Sequence, residues 1–447
     1  MTFMQHLSLV HALRAGSSPS IAFIGAGGKT TAMFQLAREL QQPVIVTATS
    51  HLGVWQTRRA DRHIVAQTPA ALEKLEYGLT GITLITGEID VERTRPVNDQ
   101  VLHWLHQFCS DRAMPLLIEA DGSREKPLKA WAEHEPPIPT FVELVVHVVG
   151  LSGLGKPLTE EYVHRAVLFA ALSELRIGET IKPDALARVL AHPMGGQKNI
   201  PAHARKVILL NQADTPELQS LAQRFSQTLM GSYVSVIIAS LGQGSVFAVY
   251  EPVAGIVLAA GEAKRFGQPK QLLDWKGEPF VRVVAKTALQ AGLSPVVVVI
   301  GAHAEPVQDA LKGLDVLTVR NENWGCGQAS SIKAGIQALA SSANVGGAIF
   351  LLVDQPQLTT SILRALVYRH AEGLYPVVAP MVMDQRANPV LFDRVTFPDL
   401  LTLEGDVGGR AVFHKHRVEY LPWHDDRLLL DVDTPEMYQR LLSDDTL

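Results

Sequence analysis

The sequence predicts an α/β chain folded as two domains, and three observations carry that prediction. At 447 residues the chain is longer than one hydrophobic core organises. Short β-branched apolar runs alternate with stretches of helical periodicity throughout, the rhythm of sheets whose strands are joined by helices. Leu241-Gly242-Gln243-Gly244-Ser245 reads as a flexible stretch, followed by a short apolar run to Tyr250 and then Glu251-Pro252. A junction near Tyr250–Pro252 divides the chain into domains over 1–250 and 251–447.

Composition narrows the function classes. Forty basic and 45 acidic residues, mixed along the chain, leave a net charge of −5. That balance excludes a broad cationic grip on nucleic acid, so local loops must hold any phosphate. Cys109 and Cys326 are the only cysteines and lie far apart, which gives no metal or redox pair and fits a reducing, cytoplasmic setting. Phe3, Leu7, Val10 and Leu13 fall at helical spacing among polar residues, unlike the continuous apolar core of a signal peptide. Val296–Ile300 is too short to span a bilayer. The expected partners are small molecules, with neither nucleic acid nor membrane.

In the first half, Ile21–Ile24 is a buried-strand pattern that runs into Gly25-Ala26-Gly27-Gly28-Lys29-Thr30-Thr31 and then a helical run through Leu40. Strand, glycine loop, Lys-Thr and helix is the order of a P-loop. Backbone N–H groups and a helix N-terminus hold phosphates there, the lysine adds charge, and the threonine reaches a magnesium ion. Gly25, Gly27, Gly28, Lys29 and Thr30 are therefore candidate nucleotide contacts. Phe23 stands where the usual pattern has its first glycine, so the loop is shortened or differently shaped. Val44–Thr49 reads as a second strand with a polar C-terminal edge, the side on which ligands sit in open α/β sheets. Leu116–Ile118 leads into Glu119-Ala120-Asp121-Gly122, whose carboxylates suit a magnesium-holding or water-orienting tip. Val207–Leu210 leads into Asn211-Gln212-Ala213-Asp214, which resembles the Asn-Lys-x-Asp base-reading element of GTP-binding proteins with Gln212 in the lysine's place. Asn211 and Asp214 are equally good helix caps. His103 with His106, and His414 with His416, lack the cysteine or carboxylate pattern of a zinc site and read as surface or packing residues.

In the second half, Gly255–Leu258 is a strand that turns at Ala259-Ala260-Gly261 and presents Arg265, Gly267 and Lys270 beyond. Small residues let backbone N–H groups of Leu258–Gly261 approach a triphosphate, and the two cations offset its charge. Phe280–Ala291 reads as a helix, Val296–Gly301 and Val316–Val319 as strands. Asn321–Ser331 opens another helix with a loop suited to a base or ribose. Gly327 and Ser331 are its contacts, although Ser330 and Ser331 also suit N-caps. Ala348–Val353 ends at Asp354-Gln355-Pro356, a carboxylate on a strand tip that suits magnesium, with a plain turn as the alternative. Leu428–Leu430 runs into Asp431-Val432-Asp433, read as a strand that points Asp431 and Asp433 the same way, with Asp433 nearer the tip. Asn388-Pro389 and Gly405–Arg410, which includes Asp406, read as substrate-side loops.

These residues carry two resemblances. Gly25–Thr31, Glu119–Lys129 and the Val148–Arg165 segment resemble the YqeC-type family, accessory proteins of selenium-dependent molybdenum hydroxylases, across most of the first half. For that half the reading is a P-loop-like α/β sheet domain that binds ATP or GTP in the same pathway. Leu258–Lys270, Asp354–Pro356, Asn388–Val390, Gly405–Arg410 and Asp431–Pro435 are similar to molybdenum cofactor cytidylyltransferases of the MobA-like group, over 252–447. This second resemblance implies a Rossmann-like nucleotidyltransferase domain with a mixed sheet, with CTP and the molybdopterin cofactor as substrates. Its products are the cytosine dinucleotide cofactor and pyrophosphate, and a molybdenum hydroxylase is the recipient. Arg265, Lys270 and Asp354 would carry catalysis, and Asp354 with Asp433 would hold Mg2+. Guanylyltransferase relatives usually have glycine where this chain has Ala260, which favours cytidine. Two alternatives stay open: a nucleotidyltransferase acting on another small phosphate or alcohol acceptor, and a nucleotide-regulated cofactor-binding chaperone without turnover.

Overall fold

A computed structural model describes residues 7–73, 75, 79–262, 266–341 and 344–444. The chain divides into two compact units, Met1–Tyr250 and Glu251–Leu447. Both are α/β, the class predicted, and each is built on its own sheet.

The sheet of the first unit has nine strands: β1 (Ser20–Gly25), β2 (Val44–Ala48), β3 (Arg62–Val65), β4 (Ile82–Thr86), β5 (Leu116–Glu119), β6 (Leu144–Gly150), β7 (Arg205–Asn211), β8 (Ser235–Ser240) and β9 (Ser245–Tyr250). Their spatial order is β9-β8-β7-β6-β1-β5-β2-β4-β3. All pairs are parallel except β8 with β9. Every residue of β1, β2, β4 and β6 is buried, as strands covered by helices on both faces must be. From β1 the chain first builds outward through β2 and later returns to fill the other side from β6. The loop after β1 therefore opens where the strand order reverses, the place where such sheets leave a crevice.

Ser8 accepts the His11 N–H and starts a short helix α1 (Leu9–Leu13). Helix α2 (Lys29–Glu39) begins directly at the glycine loop. Asn98 caps α3 (Asp99–Asp111), and Thr215 caps α4 (Pro216–Leu229), each by accepting a first-turn N–H. The stretch predicted to be flexible is a tight connection instead. Leu241–Gln243 forms one 3-10 turn, and Gly244, at φ +68°, folds β8 back onto β9. A positive φ costs glycine little, which is why a hairpin forms where composition alone reads as a linker.

The sheet of the second unit comprises β10 (Val253–Ala259), β11 (Val296–Ile300), β12 (Leu317–Arg320), β13 (Gly347–Leu352), β14 (Val377–Val382), β15 (Gln385–Arg386), β16 (Val390–Asp393) and β17 (Val418–Pro422). The order is β12-β11-β10-β13-β16-β14-β15, with β17 also on β14. The first four strands are parallel, and β16 runs antiparallel between β13 and β14, so the sheet is mixed. Alternate residues feed two cores, the period-two pattern of a strand covered on both faces. Val257, Val298 and Ile349 pack with Phe280 and Val284 of α5 (Phe280–Gln290). Ile256, Val297, Val299 and Phe350 pack with Ile332 and Ile336 of α6 (Gln328–Ala338).

One strand prediction fails here. Leu428–Asp433 is not a strand: Asp426–Leu429 is a 3-10 turn, and the residues after it carry no ladder. The Asp425 carboxylate accepts the Arg427 N–H and its guanidinium, winding the apolar run into a turn. No helix among the described residues is long and apolar enough to cross a membrane.

Candidate nucleotide sites

In the second unit the turn after β10 is pinned from below. The buried Gln271 amide donates to the carbonyls of Ala259 (3.0 Å) and Gly261 (2.6 Å). A cavity of about 290 Å³ opens above it, lined by Leu258, Ala260, Gly261, Lys270, Gly327, Ser331, Asp354 and Asp406, together with Gln271, Trp324 and Gln328. Apart from its two chain neighbours, no described residue comes within 4 Å of the place a Cβ on Gly261 would take. The glycine keeps that side of the turn open.

The charged groups meet across this turn. The Lys270 ammonium lies 2.5 Å from Asp433 Oδ1 and 3.6 Å from Asp354 Oδ2. Although its segment is not a strand, Asp433 still reaches the site, because the Val432 N–H donates to the Asp354 carbonyl at 3.1 Å. Burial pushes the Asp354 carboxyl up to about 6, and the neighbouring Asp431 adds to this while Lys270 opposes it. Asp431 is also raised by burial, and its carboxylate accepts from the Gln355 amide at 2.7 Å. Asp354 Oδ1 is buried with no hydrogen-bond partner among the described residues. A buried, unpartnered carboxylate oxygen beside a second carboxylate fits a cation. Among the described residues no three His, Cys, Asp or Glu side chains converge as a ready-made cage. A divalent ion would take two carboxylates from the chain and complete its shell with phosphate oxygens and water, the usual habit of magnesium.

The far wall is the start of α6. Gly327 is its N-cap at φ +101°, and a Cβ there would sit 2.5 Å from the Asp406 nitrogen, so glycine alone fits. Asp406 Oδ1 accepts the Gln328 N–H at 3.3 Å. Ser330 and Ser331 are first-turn residues, not caps, and both hydroxyls accept from the Asn321 amide at 2.8 and 3.0 Å. Other predicted residues lie apart. Ala259 is buried outside the cavity lining, and Asn388 and Pro389 do not line it. Asn388 Oδ1 accepts from Arg410 at 3.5 Å. Arg265 lies outside the described residues. Gln271, Gln355 and Trp324 were not foreseen.

In the first unit a cleft of about 1670 Å³ lies over the glycine loop, lined by Gly27–Thr31, Glu119, Arg124, Lys126, Arg165 and Gln212 among others. The inner half of the loop is braced. Gly25 N–H donates to Asp121 Oδ2 (3.0 Å), Ala26 N–H to the Val148 carbonyl (2.8 Å) and Gly27 N–H to the Lys126 carbonyl (3.1 Å). Gly27 lies so close to Gly150 that a Cβ would stand 2.4 Å from it. The outer half begins α2, whose first backbone rung is Ala32 N–H to Gly28 O. The preceding N–H groups are left at the edge of the cleft.

The charges here are organised inward. Lys29 is buried, donates to the Gly25 carbonyl (2.8 Å) and Ser123 Oγ (3.3 Å), and lies 3.3 Å from Asp121 and 4.0 Å from Glu119. The Thr30 hydroxyl donates to Glu119 at 2.7 Å. Asp121 also accepts from Lys129 (2.9 Å) and the Trp131 indole (2.7 Å). Burial would raise Asp121, but Lys129, Lys29 and the Gly25 N–H together hold it below its ordinary value. Glu119 is raised, burial being the largest cause. Asn211 and Asp214 do not line the cleft. The Asn211 amide donates to the Gly27 carbonyl (2.7 Å) and accepts the Leu241 N–H (2.9 Å), while Asp214 accepts from Ser240. Neither caps α4. The Lys129–Glu135–Arg165 chain of alternating charge was not foreseen. The paired histidines pack as predicted: His106 stacks on Phe141, and His416 bonds to Asp399.

Comparison with known proteins finds separate relatives for the two halves. Residues 21–167 match the family model described as YqeC protein, and residues 255–420 match the MobA-like NTP transferase domain. YqeC of Escherichia coli K12 is 31% identical over 252 residues, covering 54% of this chain and 91% of its own. Two relatives match over 199 residues at 34% identity. Nicotine blue oxidoreductase of Paenarthrobacter nicotinovorans covers 42% of this chain and 96% of its own. Purine catabolism protein PucB of Bacillus subtilis covers 41% of this chain and 93% of its own.

Proposed function

Because the chain belongs to the YqeC protein family in its first half and to the MobA-like NTP transferase family in its second, we propose a division of labour between residues 1–250 and 251–447. The second domain transfers a cytidylyl group from CTP to the phosphate of the molybdopterin cofactor for a molybdenum hydroxylase, in the cytoplasm. The first binds ATP or GTP at Gly25–Thr30, with Glu119 and Asp121 behind the loop and Asn211 and Asp214 at its flank. The observation that carries the reading is the tip of β13: Asp354 with an unpartnered buried oxygen, Asp433 beside it, and Lys270 between them at an open glycine turn.

In this reaction a phosphate-monoester oxygen attacks the α-phosphorus of CTP, and the bond to the β-phosphate breaks, releasing pyrophosphate. The nucleophile is already ionised near neutral pH, so no strong base is required of the chain. Asp354 and Asp433 would hold Mg2+, which when bound neutralises phosphate charge. The backbone of Leu258–Gly261 positions the triphosphate, and Lys270 offsets its charge, with Arg265 assigned the same role from its sequence position. Gly327 and Ser331 face the ribose or base, and Asp406 with the Asn388-Pro389 loop serves the acceptor side. Ala260 supports cytidine over guanine.

The test is a turnover matrix of CTP, GTP, ATP and UTP against molybdopterin cofactor, a sugar phosphate and no acceptor, read as pyrophosphate release. Release with CTP and the cofactor alone is expected. Tight cofactor binding without release from any nucleotide would leave a chaperone. Redox turnover without pyrophosphate would align the chain with the activity in its oxidoreductase relative's name.

A pH dependence follows from Asp354. A carboxylate half-protonated at about 6 presents a proton that a divalent ion must displace below that pH. Apparent Mg2+ affinity is expected to hold above pH 7 and to fall by roughly tenfold per unit below pH 6. Calorimetric titration of Mg2+ between pH 5 and 8 checks this, and a flat profile would remove Asp354 from the ion.

A further inference from the structure

Asn211 and Asp214 do not line the cleft of the first unit, so a ligand's ring there would meet another wall. That wall contains Val54, Trp55 and Val91. Trp55 is 55% exposed, whereas Trp131 and Trp275 are 4% and 6% exposed. Val91 is 90% exposed. Apolar surface of this size left facing a cleft, rather than packed, marks a place for a ligand.

The position of Trp55 is fixed relative to the phosphate loop. It lies in a 3-10 turn, Val54–Arg59. The Gln56 amide beside it accepts the Gly53 N–H (2.8 Å) and donates to Thr30 Oγ1 (3.0 Å). Arg59 donates to Thr31 Oγ1 (3.3 Å), and Arg38 of α2 donates to the Arg59 carbonyl (2.9 Å). Two side chains of this one turn are thus tied to the first turn of α2, which presents its N–H groups to the same cleft. The Arg59 guanidinium lies 5.8 Å from the Trp55 ring centroid. Arg93, Arg124 and Lys126 also line the cleft, interleaved with Glu92, Glu125 and Glu160. An exposed indole tethered beside a phosphate cradle, with the Arg59 guanidinium near its ring, matches the chemistry of a flat ring that carries phosphate.

We propose that the Trp55 indole is the stacking platform for the planar heteroaromatic ring of a phosphate ester whose phosphate lies on the Gly27–Thr30 turn. The inference rests on the reading of the first domain as a nucleotide binder and extends it to the residue that receives the ring. A purine nucleotide and a pterin phosphomonoester share this chemistry, and the experiment separates them.

The full-length chain, Trp55→Ala and Trp55→Phe are titrated with ATP, GTP, neopterin monophosphate and inorganic triphosphate. Affinity is followed by calorimetry and by quenching of tryptophan emission. Trp55→Ala is expected to weaken the ring-bearing ligand about tenfold or more while leaving triphosphate affinity within twofold. Trp55→Phe should retain most of the affinity but lose the ligand-induced quench. A ligand bound in the other domain contributes equally to all three proteins. Whichever of the three esters responds identifies the source of the ring. Equal weakening of triphosphate would show that the turn had merely been disrupted, and unchanged affinity would show that the ring does not touch Trp55; either overturns the platform while the nucleotide reading stands. If neither the esters nor triphosphate bind this domain, the nucleotide reading falls and takes the platform with it.

Discussion

Replacing Lys270 with alanine is expected to lower the rate of pyrophosphate release by about 10²–10³-fold, the scale seen when one preorganised charge or donor is removed from a transition state. The effect should appear in kcat, because the charge it offsets grows as the bond to the leaving pyrophosphate breaks. Stability should change little. Asp433 is half exposed, so its ion pair with Lys270 contributes only about 0–1 kcal/mol, and Asp354, the more buried partner, answers the loss of the ammonium by taking up a proton. A second readout separates catalysis from general damage. The ammonium stands between Asp354 and Asp433, the two carboxylates assigned to the ion. Without it, calorimetric Mg2+ affinity in the absence of nucleotide should rise while turnover falls. Near-normal turnover in a folded Lys270→Ala protein would remove the lysine from the reaction. Weakened Mg2+ binding would show that it organises the carboxylates instead.

What the sequence made legible, and what it hid, follows the range of the forces involved. β1, β10, β11 and β13 are runs of apolar and small residues because parallel strands are covered on both faces, and such runs can be read one segment at a time. Asp354 was legible for the same reason, as a carboxylate at the end of one of them. The stretch around Asp433 misled because Leu428–Leu430 looks like a strand, while Asp425 locally favours a turn. Asn211 shows the limit more clearly. Its spacing allowed a cap or a base contact, yet its amide is used by the Gly27 carbonyl, 184 residues away, a pairing no local pattern announces. Lys29 repeats the lesson, since the motif directs it to phosphate and the fold places Asp121 beside it. Trp55 lies in a segment without periodicity, so only the cleft wall reveals it.

The largest loss of stability is expected on replacing Asp121 with alanine. Its carboxylate is 1% exposed and serves Lys29, Lys129, the Gly25 N–H and the Trp131 indole. Deleting one partner of a buried charge network leaves the others desolvated and unpaired, which costs about 3–5 kcal/mol. The Gly25 N–H sits at the base of the glycine loop, so the loop should loosen along with the sheet. Urea unfolding followed by tryptophan emission measures the loss, and the two units require the transitions to be fitted separately. The pH dependence gives the sign. Asp121 is held below its ordinary value in the folded chain, so its contribution is complete above the unfolded carboxylate range and disappears as pH falls through the lower folded value. The gap between wild type and Asp121→Ala should therefore be flat from pH 5 to 8 and narrow only on stronger acidification. Glu119 acts in the opposite sense. Because burial raises it, protonation favours the folded chain, and acid within its range relieves the cost of a second buried carboxylate. A loss below about 1 kcal/mol for Asp121→Ala would place the network among solvated surface pairs. The glycine loop would then have to be held by its backbone contacts to Val148 and Lys126 and by the Asn211 amide on the Gly27 carbonyl.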